Sequence, residues 1–272
     1  MKEMLSKEDY EEPVCLLNMH PEVTPIPIRR ILEKLDSYLD KNDYDAAERH
    51  LRYWLTEADA GRDMRGKLAL LNEEIGLYRK TQKEAECFAA IGDALSLADS
   101  MDMEQSVSYG TTLINAATGY KAFGKAEEAA PLYCKARMIY EEALDPNDGR
   151  LGGLYNNMAL TLAELKKFRE AEDLFYKAIK VMEKQENGEM EIAITHLNLA
   201  DLIAARDGLE NGEMEIEKHL LEAEKLLCTE RLPRNGAYAF VCEKCAPVFG
   251  YYGYFLTERE LHRRAREIYE RT

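Results

Sequence analysis

The chain has 272 residues, of which 46% are hydrophobic and 32% charged, with 16 glycines, 8 prolines and a formal charge of −15. This composition excludes a disordered or collagen-like chain, and no apolar run approaches the ~20 residues of a membrane span. The acidic balance excludes a general nucleic-acid binder, which needs a basic face to neutralise phosphates. A solvated helical surface accounts for the charge, and a basic or neutral partner is the competing reading.

Residues 1–26 read as an extended arm, because Pro13, Pro21, Pro25 and Pro27 bias the backbone away from helix. The arm's apolar residues Val14, Leu16, Leu17, Met19, Val23 and Ile26 are costly to leave bare. They are expected against the first helices, or in a binding groove of this chain or a neighbour. From Ile28 to about Lys41 the apolar positions Ile31, Leu35, Tyr38 and Leu39 follow a helical period. After a polar break at 42–45, Ala47, Leu51 and Trp54 form the inner stripe of a second helix, with the lone tryptophan assigned to packing.

Residues 62–99 give a less regular pair, with Glu73 and Glu74 where small apolar residues are expected. Residues 107–144 are cleaner: Leu113, Ala116, Ala117 and Tyr120 line the first helix, and Ala129, Tyr133 and Ala136 the second. Pro131 sits near enough to the start of that helix to be read as tolerated in its first turns. The turn LDPNDG (144–149) then delivers the chain to LYNNMALTLAELKKFREAEDLFYKAIKVM (154–182), the most regular helix-turn-helix unit.

In the next unit His196, Leu199, Ala200 and Ile203 continue the pattern, and GLENG (208–212) reads as a loop that displaces the partner helix, placing Ile216, Leu220 and Ala223 inward. TERLPRNG (229–236) breaks the array before a last, aromatic-rich pair in which Pro247 is expected to kink or end the first helix. Ala129 to Ala171 and Ala136 to Ala178 are both 42 residues.

These offsets follow the tetratricopeptide template, lengthened from its standard of about 34 residues by roughly a turn per helix. LDPNDGRLGGLYNNMALTL (144–162) resembles the 42-residue tetratricopeptide variant of kinesin light chains and of many bacterial proteins. The stretches KLDSYLDKNDYDAAERHL, LLNEEIGLYRK and YAFVCEKCAPVFGYYGYF are similar to bacterial multi-repeat proteins. The resemblance implies an all-α, right-handed superhelix, an α-solenoid of about six antiparallel helix pairs. The arm would occupy 1–26, the repeat array 27–228, and an atypical capping pair 229–272. It is specific for fold and unspecific for activity.

First helices of such arrays line the concave side. On them Asn72, Asn115, Asn157 and Asn198 share one register, two residues before the small position, at spacings of 43, 42 and 41. Asparagine costs ~0.6 kcal/mol against alanine in a helix interior, so four disfavour the isolated helices by on the order of 2 kcal/mol. Two readings of the ladder stand: the carboxamides bond the backbone of an extended peptide, as the resemblance implies, or they bond the neighbouring repeat and set its angle. Tyr78, Arg79, Thr111, Thr118, Lys121, Asn156 and Asp201 are expected to project into the same groove, with Lys121 and Arg79 available to a peptide carboxylate.

No phosphate loop, nucleophile elbow or HExxH is present, and no cofactor is expected. The expectation is therefore a non-enzymatic, cytoplasmic scaffold for a protein or extended peptide, without nucleic-acid or membrane partners. The six cysteines (15, 87, 134, 228, 242, 245) are taken as free thiols of a reducing compartment, since the opening MKEMLSKEDYEEPV lacks the apolar core of a secretion signal. Two alternatives remain. Cys242 and Cys245 form a lone CxxC, with His262 the nearest further ligand, that would suit a metal- or thiol-dependent protein. Self-association through the arm or the terminal helices is the other.

Overall fold

The computed structural model describes residues 23–271. Within them lie twelve α-helices and no strand, arranged as six consecutive pairs. The chain divides into two compact units at Ala143/Leu144. None of the described helices is long and apolar enough to cross a membrane.

The first unit contains α1 (Ile28–Leu39), α2 (Tyr44–Ala60), α3 (Met64–Lys80), α4 (Glu84–Ser100), α5 (Val107–Ala122) and α6 (Ala126–Ala143). Each helix packs on its pair mate, and α3 also packs on α5, so first helices lie side by side. The stripe read from the sequence is the buried one: Ala47, Leu51, Ala129 and Ala136 are fully covered. Trp54 is half-buried against this core, edge-on to His50 and Tyr53.

Of the arm, only residues 23–26 fall within the description; Val14, Leu16, Leu17 and Met19 lie outside it. Its end is tied down. Ile26 is buried in the α1/α2 core, its N–H donates to Asp63 Oδ2 at 2.9 Å, and the Thr24 N–H donates to the Gly61 carbonyl at 2.9 Å. Asp63 also caps α3 by accepting from the Gly66 N–H, so one carboxylate holds both segments.

The second unit contains α7 (Gly149–Glu164), α8 (Phe168–Met182), α9 (Glu189–Asp207), α10 (Leu209–Leu227), α11 (Gly236–Tyr251) and α12 (Phe255–Tyr269). Here α9 is packed on α10, α8, α7 and α11, and a continuous core runs from Ala193 to Ile268. Gly152 lies under Met182, where a Cβ would come within 2.3 Å of the methionine methyl. In the first unit Gly110 lies under Tyr140 in the same way. Both residues of each couple are 42 positions from their counterparts, so the period governs backbone approach as well as stripe.

Five of the six helix pairs are closed by one left-handed residue in the turn: Asn42, Gln82, Gly124, Lys166 and Gly253 have φ between 55° and 83°. The next residue's N–H returns to a carbonyl five positions back, as in Lys83 to Tyr78 and Lys167 to Leu162, both at 2.9 Å. This is the Schellman closure, which satisfies carbonyls the helix end leaves open.

Two expectations are corrected, and a third, that Pro131 is tolerated, holds for a different reason. GLENG is not a loop: α10 begins at Leu209, directly after Gly208 with its φ of 83°. Gly212 thereby falls 41 residues after Ala171, and His219 41 after Ala178, so the pattern continues without an insertion. Small glycine at the alanine position and a histidine at the next disguise it. Pro247 neither ends nor interrupts α11, which runs on to Tyr251. Its exposed position leaves the freed Glu243 carbonyl on the solvent side. Pro131 likewise lies inside α6, at its sixth residue and so beyond the uncapped first turn; it too is exposed, and solvent can take the Glu127 carbonyl.

Candidate peptide-binding face

The asparagines of the first unit form an inter-repeat rung. Asn115 on α5 donates its Nδ2 to Asn72 Oδ1 on α3 at 2.9 Å. Asn72 donates in turn to the Leu68 carbonyl at 2.9 Å and to Thr112 Oγ1 at 3.0 Å, which uses both its amide hydrogens. Thr112 is fully buried and donates to the Ser108 carbonyl, which leaves its oxygen free to accept.

The same arrangement recurs in the second unit with one change of register. Asn198 on α9 donates to Asn156 on α7 at 2.9 Å; Thr195 lies 3.4 Å from the same Asn156 oxygen, while its one hydroxyl hydrogen has its shorter bond, 2.8 Å, to the Glu191 carbonyl. Asn156, not Asn157, therefore stands in the rung; Asn157 is half-buried and lends its backbone carbonyl to Thr161. The sequence signal for this clasp is a threonine three residues before the donor asparagine, Thr112 before Asn115 and Thr195 before Asn198. The period alone does not show it.

The rungs leave specific capacity open. Each of Asn115 and Asn198 uses one amide hydrogen in its rung, while its Oδ1 accepts nothing among the described residues; both are half-buried. The remaining N–H and the oxygen form the donor-acceptor edge that an extended backbone requires.

Other expected groove residues are engaged elsewhere. Tyr78 is 4% exposed, so it does not reach the surface. Its hydroxyl lies 3.3 Å from a Glu74 oxygen and 3.5 Å from a Glu48 oxygen, either of which can accept its one hydrogen, and burial pushes its pKa up to about 12. Thr118 and Thr111 hydrogen-bond the hydroxyls of Tyr133 and Tyr140 on α6 at 2.8 and 2.7 Å, fastening α5 to its partner. They are pair-closing residues because a hydroxyl buried between helices needs a partner. Arg79 and Lys121 are half-buried near the ends of α3 and α5. Asp201 is exposed on α9 and accepts from the Tyr252 hydroxyl at 2.8 Å.

Cys242 and Cys245 are buried on successive turns of α11. Burial raises both thiols, Cys245 to about 12, which keeps them protonated and poorly nucleophilic. His262 accepts or donates at Nδ1 to Glu243 at 2.9 Å. Among the described residues no group of three His, Cys, Asp or Glu side chains converges as a metal site.

Consecutive helix pairs, a period near 42 residues, side-by-side first helices and Schellman-closed turns define an all-α repeat fold like that of tetratricopeptide proteins. Residues 152–184 match the tetratricopeptide repeat family model. In fold the chain is similar to the crystal structure of nearly identical TPR-like repeats of a putative kinesin light chain from Podosopora anserina. That match has 14% identity and TM-score 0.55, over 75% of this chain and 96% of that one. A methionine-substituted form of the same repeats matches at 15% identity and TM-score 0.56, over 76% and 97%. BtubC (BKLC) from P. vanneervenii is similar at 16% identity and TM-score 0.52, over 90% and 92%. No curated protein matches the chain.

Proposed function

We propose that this chain is a non-enzymatic scaffold that binds an extended peptide or protein segment along the first helices of its units. The observation that carries this reading is the open edge of Asn115 and Asn198. Each rung engages one amide hydrogen of the carboxamide and leaves the other hydrogen and the oxygen without a partner among the described residues. Inter-repeat packing and ligand binding are then one device, because a side chain held by its neighbour loses little entropy when a ligand arrives. Arg79 and Lys121 stand at the helix ends, where they would meet a peptide carboxylate.

A peptide array probed with the wild-type chain and with Asn115→Ala/Asn198→Ala tests the reading. The double variant is expected to lose at least tenfold in affinity for the peptides bound by wild type while keeping its helical circular dichroism. Undiminished binding removes the asparagine edge from the site.

A second reading, self-association through the last helix pair, is favoured by one observation. Phe240, Tyr251, Phe255 and Leu256 are 59 to 81% exposed on α11 and its junction with α12, where an end repeat ordinarily carries a polar outer face. Light scattering of wild type and Phe255→Ser/Leu256→Ser decides it: a monomer in both forms ends that reading.

A further inference from the structure

At one edge of the second unit the N-terminal half of α10 and the α11–α12 turn enclose a cleft of about 470 Å³. Its walls are of two kinds. Tyr251, Tyr252 and Tyr254 contribute rings, and Glu210, Glu213 and Glu217 contribute carboxylates, over an apolar floor of Ile216 and Leu220. The glutamates fall at i, i+3 and i+7 of α10, which places them on one face of the helix.

Three like charges on one face disfavour a helix by tenths of a kcal/mol per pair unless a cation answers them, and the helix dipole compensates only in the first turn. Some glutamates of this unit have a cation, as Glu172 and Glu215 share Arg206 and Glu260 holds Arg263 and Arg264; what sets the cleft apart is that its unpaired carboxylates lie beside a wall of tyrosine rings. Among the described residues Glu210, Glu213 and Glu217 have no cation. The aromatic wall is set in place: the Tyr252 hydroxyl is anchored on Asp201, and Tyr251 meets Tyr252 edge-on with centroids 4.9 Å apart. Tyr251 itself remains 70% exposed. Burial and the negative charge of Glu217 raise the Tyr254 hydroxyl, which puts carboxylate and ring in one electrostatic neighbourhood.

A flat, weakly hydrated cation satisfies both walls at once, by stacking on a tyrosine face and pairing with a carboxylate. We infer that this cleft receives an arginine side chain of a basic segment in a partner protein. The assignment rests on the reading of the chain as a protein-binding scaffold and adds a partner chemistry and a place distinct from the asparagine edge. The protein's charge of −15 complements such a segment at long range, and the cleft supplies the local specificity.

The test is fluorescence anisotropy with a labelled twelve-residue Gly/Ser peptide bearing three arginines, and with its citrulline counterpart, which keeps the shape and removes the charge. Wild type is expected to bind the arginine peptide and to bind the citrulline peptide at least tenfold more weakly. Glu213→Gln/Glu217→Gln and Tyr251→Ala are each expected to weaken the arginine peptide at least fivefold, and Tyr251→Phe less than twofold. Glu127→Gln/Glu128→Gln on α6 makes the same change in net charge far along the sequence and should leave affinity within twofold. Equal loss in the α6 and cleft variants, or no binding by wild type, overturns the cleft. Neither outcome touches the asparagine edge, whose own peptides and variants decide the scaffold reading separately.

Discussion

The carboxamide of Asn115 hydrogen-bonds that of Asn72 at 2.9 Å, so a residue unfavourable to either helix alone becomes the joint between two. Asn72 donates twice and accepts once, whereas Asn115 has one bond to lose. Allowing for the helix propensity alanine gains, Asn72→Ala should cost about 1–2 kcal/mol and Asn115→Ala roughly half that. Their double-mutant cycle should show coupling of about 0.5–1 kcal/mol. In the second unit Asn156→Ala should destabilise while Asn157→Ala is neutral or stabilises by up to about 0.6 kcal/mol. Urea denaturation of the four single variants and of the Asn72/Asn115 double variant checks this, and equal costs at 156 and 157 would refute the register.

How far the sequence could be read is clear from these same residues. The period of 42 fixes Ala129, Ala136, Ala171 and Ala178, all buried, because packing repeats wherever the backbone approach repeats. Asn72, Asn115 and Asn198 share that register for the same reason. Asn156 could not be chosen over Asn157 in this way, since a rung depends on the angle between neighbouring helices and on a threonine beside the donor. Tyr78 has the spacing of a groove residue, yet it is buried with its hydroxyl beside Glu48 and Glu74. The Tyr/Glu cleft joins α10 to a turn some forty residues later, a proximity no local pattern carries.

A second prediction concerns His196 and His219, whose Nδ1 atoms lie 2.8 Å apart between α9 and α10. The contact needs one N–H and one lone pair, so the accepting ring must be neutral and the two rings cannot both be protonated without losing the bond. Burial lowers both, His219 to about 4 with help from its partner's charge, against an ordinary 6.5. The groups facing His196 are Glu222, which opposes the shift, and Lys218, which adds to it. Because the unfolded chain takes up the proton first, the pair's stabilisation is complete above about 6.5 and is lost as pH falls towards about 4. The loss should reach about 2 kcal/mol. The melting temperature of His219→Gln, followed from pH 7.5 to 4, should approach that of wild type as the pH falls; a constant gap between them contradicts the assignment.

The turns supply a third. Lys166 occupies the left-handed region at φ 60° and is exposed, with no ion pair among the described residues to hold it there. The corresponding turns at Gly124 and Gly253 use glycine. A side chain in that region costs roughly 1–2 kcal/mol, part of which glycine returns through the entropy of the unfolded chain. Lys166→Gly should therefore stabilise by about 0.5–1 kcal/mol, and Gly124→Ala should destabilise by about 1 kcal/mol. Thermal melts suffice, and a destabilised Lys166→Gly would mean that the lysine side chain contributes packing the turn depends on.

The last concerns the end of the arm. Gly61 closes α2 with an ordinary φ of −80°, so conformational freedom is not what requires a glycine there. Space is: a Cβ would stand 2.3 Å from the Thr24 carbonyl oxygen, and the atoms it meets are backbone. The segment 23–27 cannot retreat without stretching the bond from the Thr24 N–H to Gly61 and drawing buried Ile26 out of the α1/α2 core. Gly61→Ala should cost about 1–3 kcal/mol through this overpacking. Asp63→Ala, which removes both the α3 cap and the Ile26 anchor, should cost at least as much. Since both act on one segment, their effects should fall short of additive. Limited proteolysis gives the local readout: cleavage near residues 23–27 should accelerate in Gly61→Ala at temperatures well below its melting point. If the melt shifts but that cleavage does not, the glycine is needed by α2 itself and not by the strand of chain laid across it.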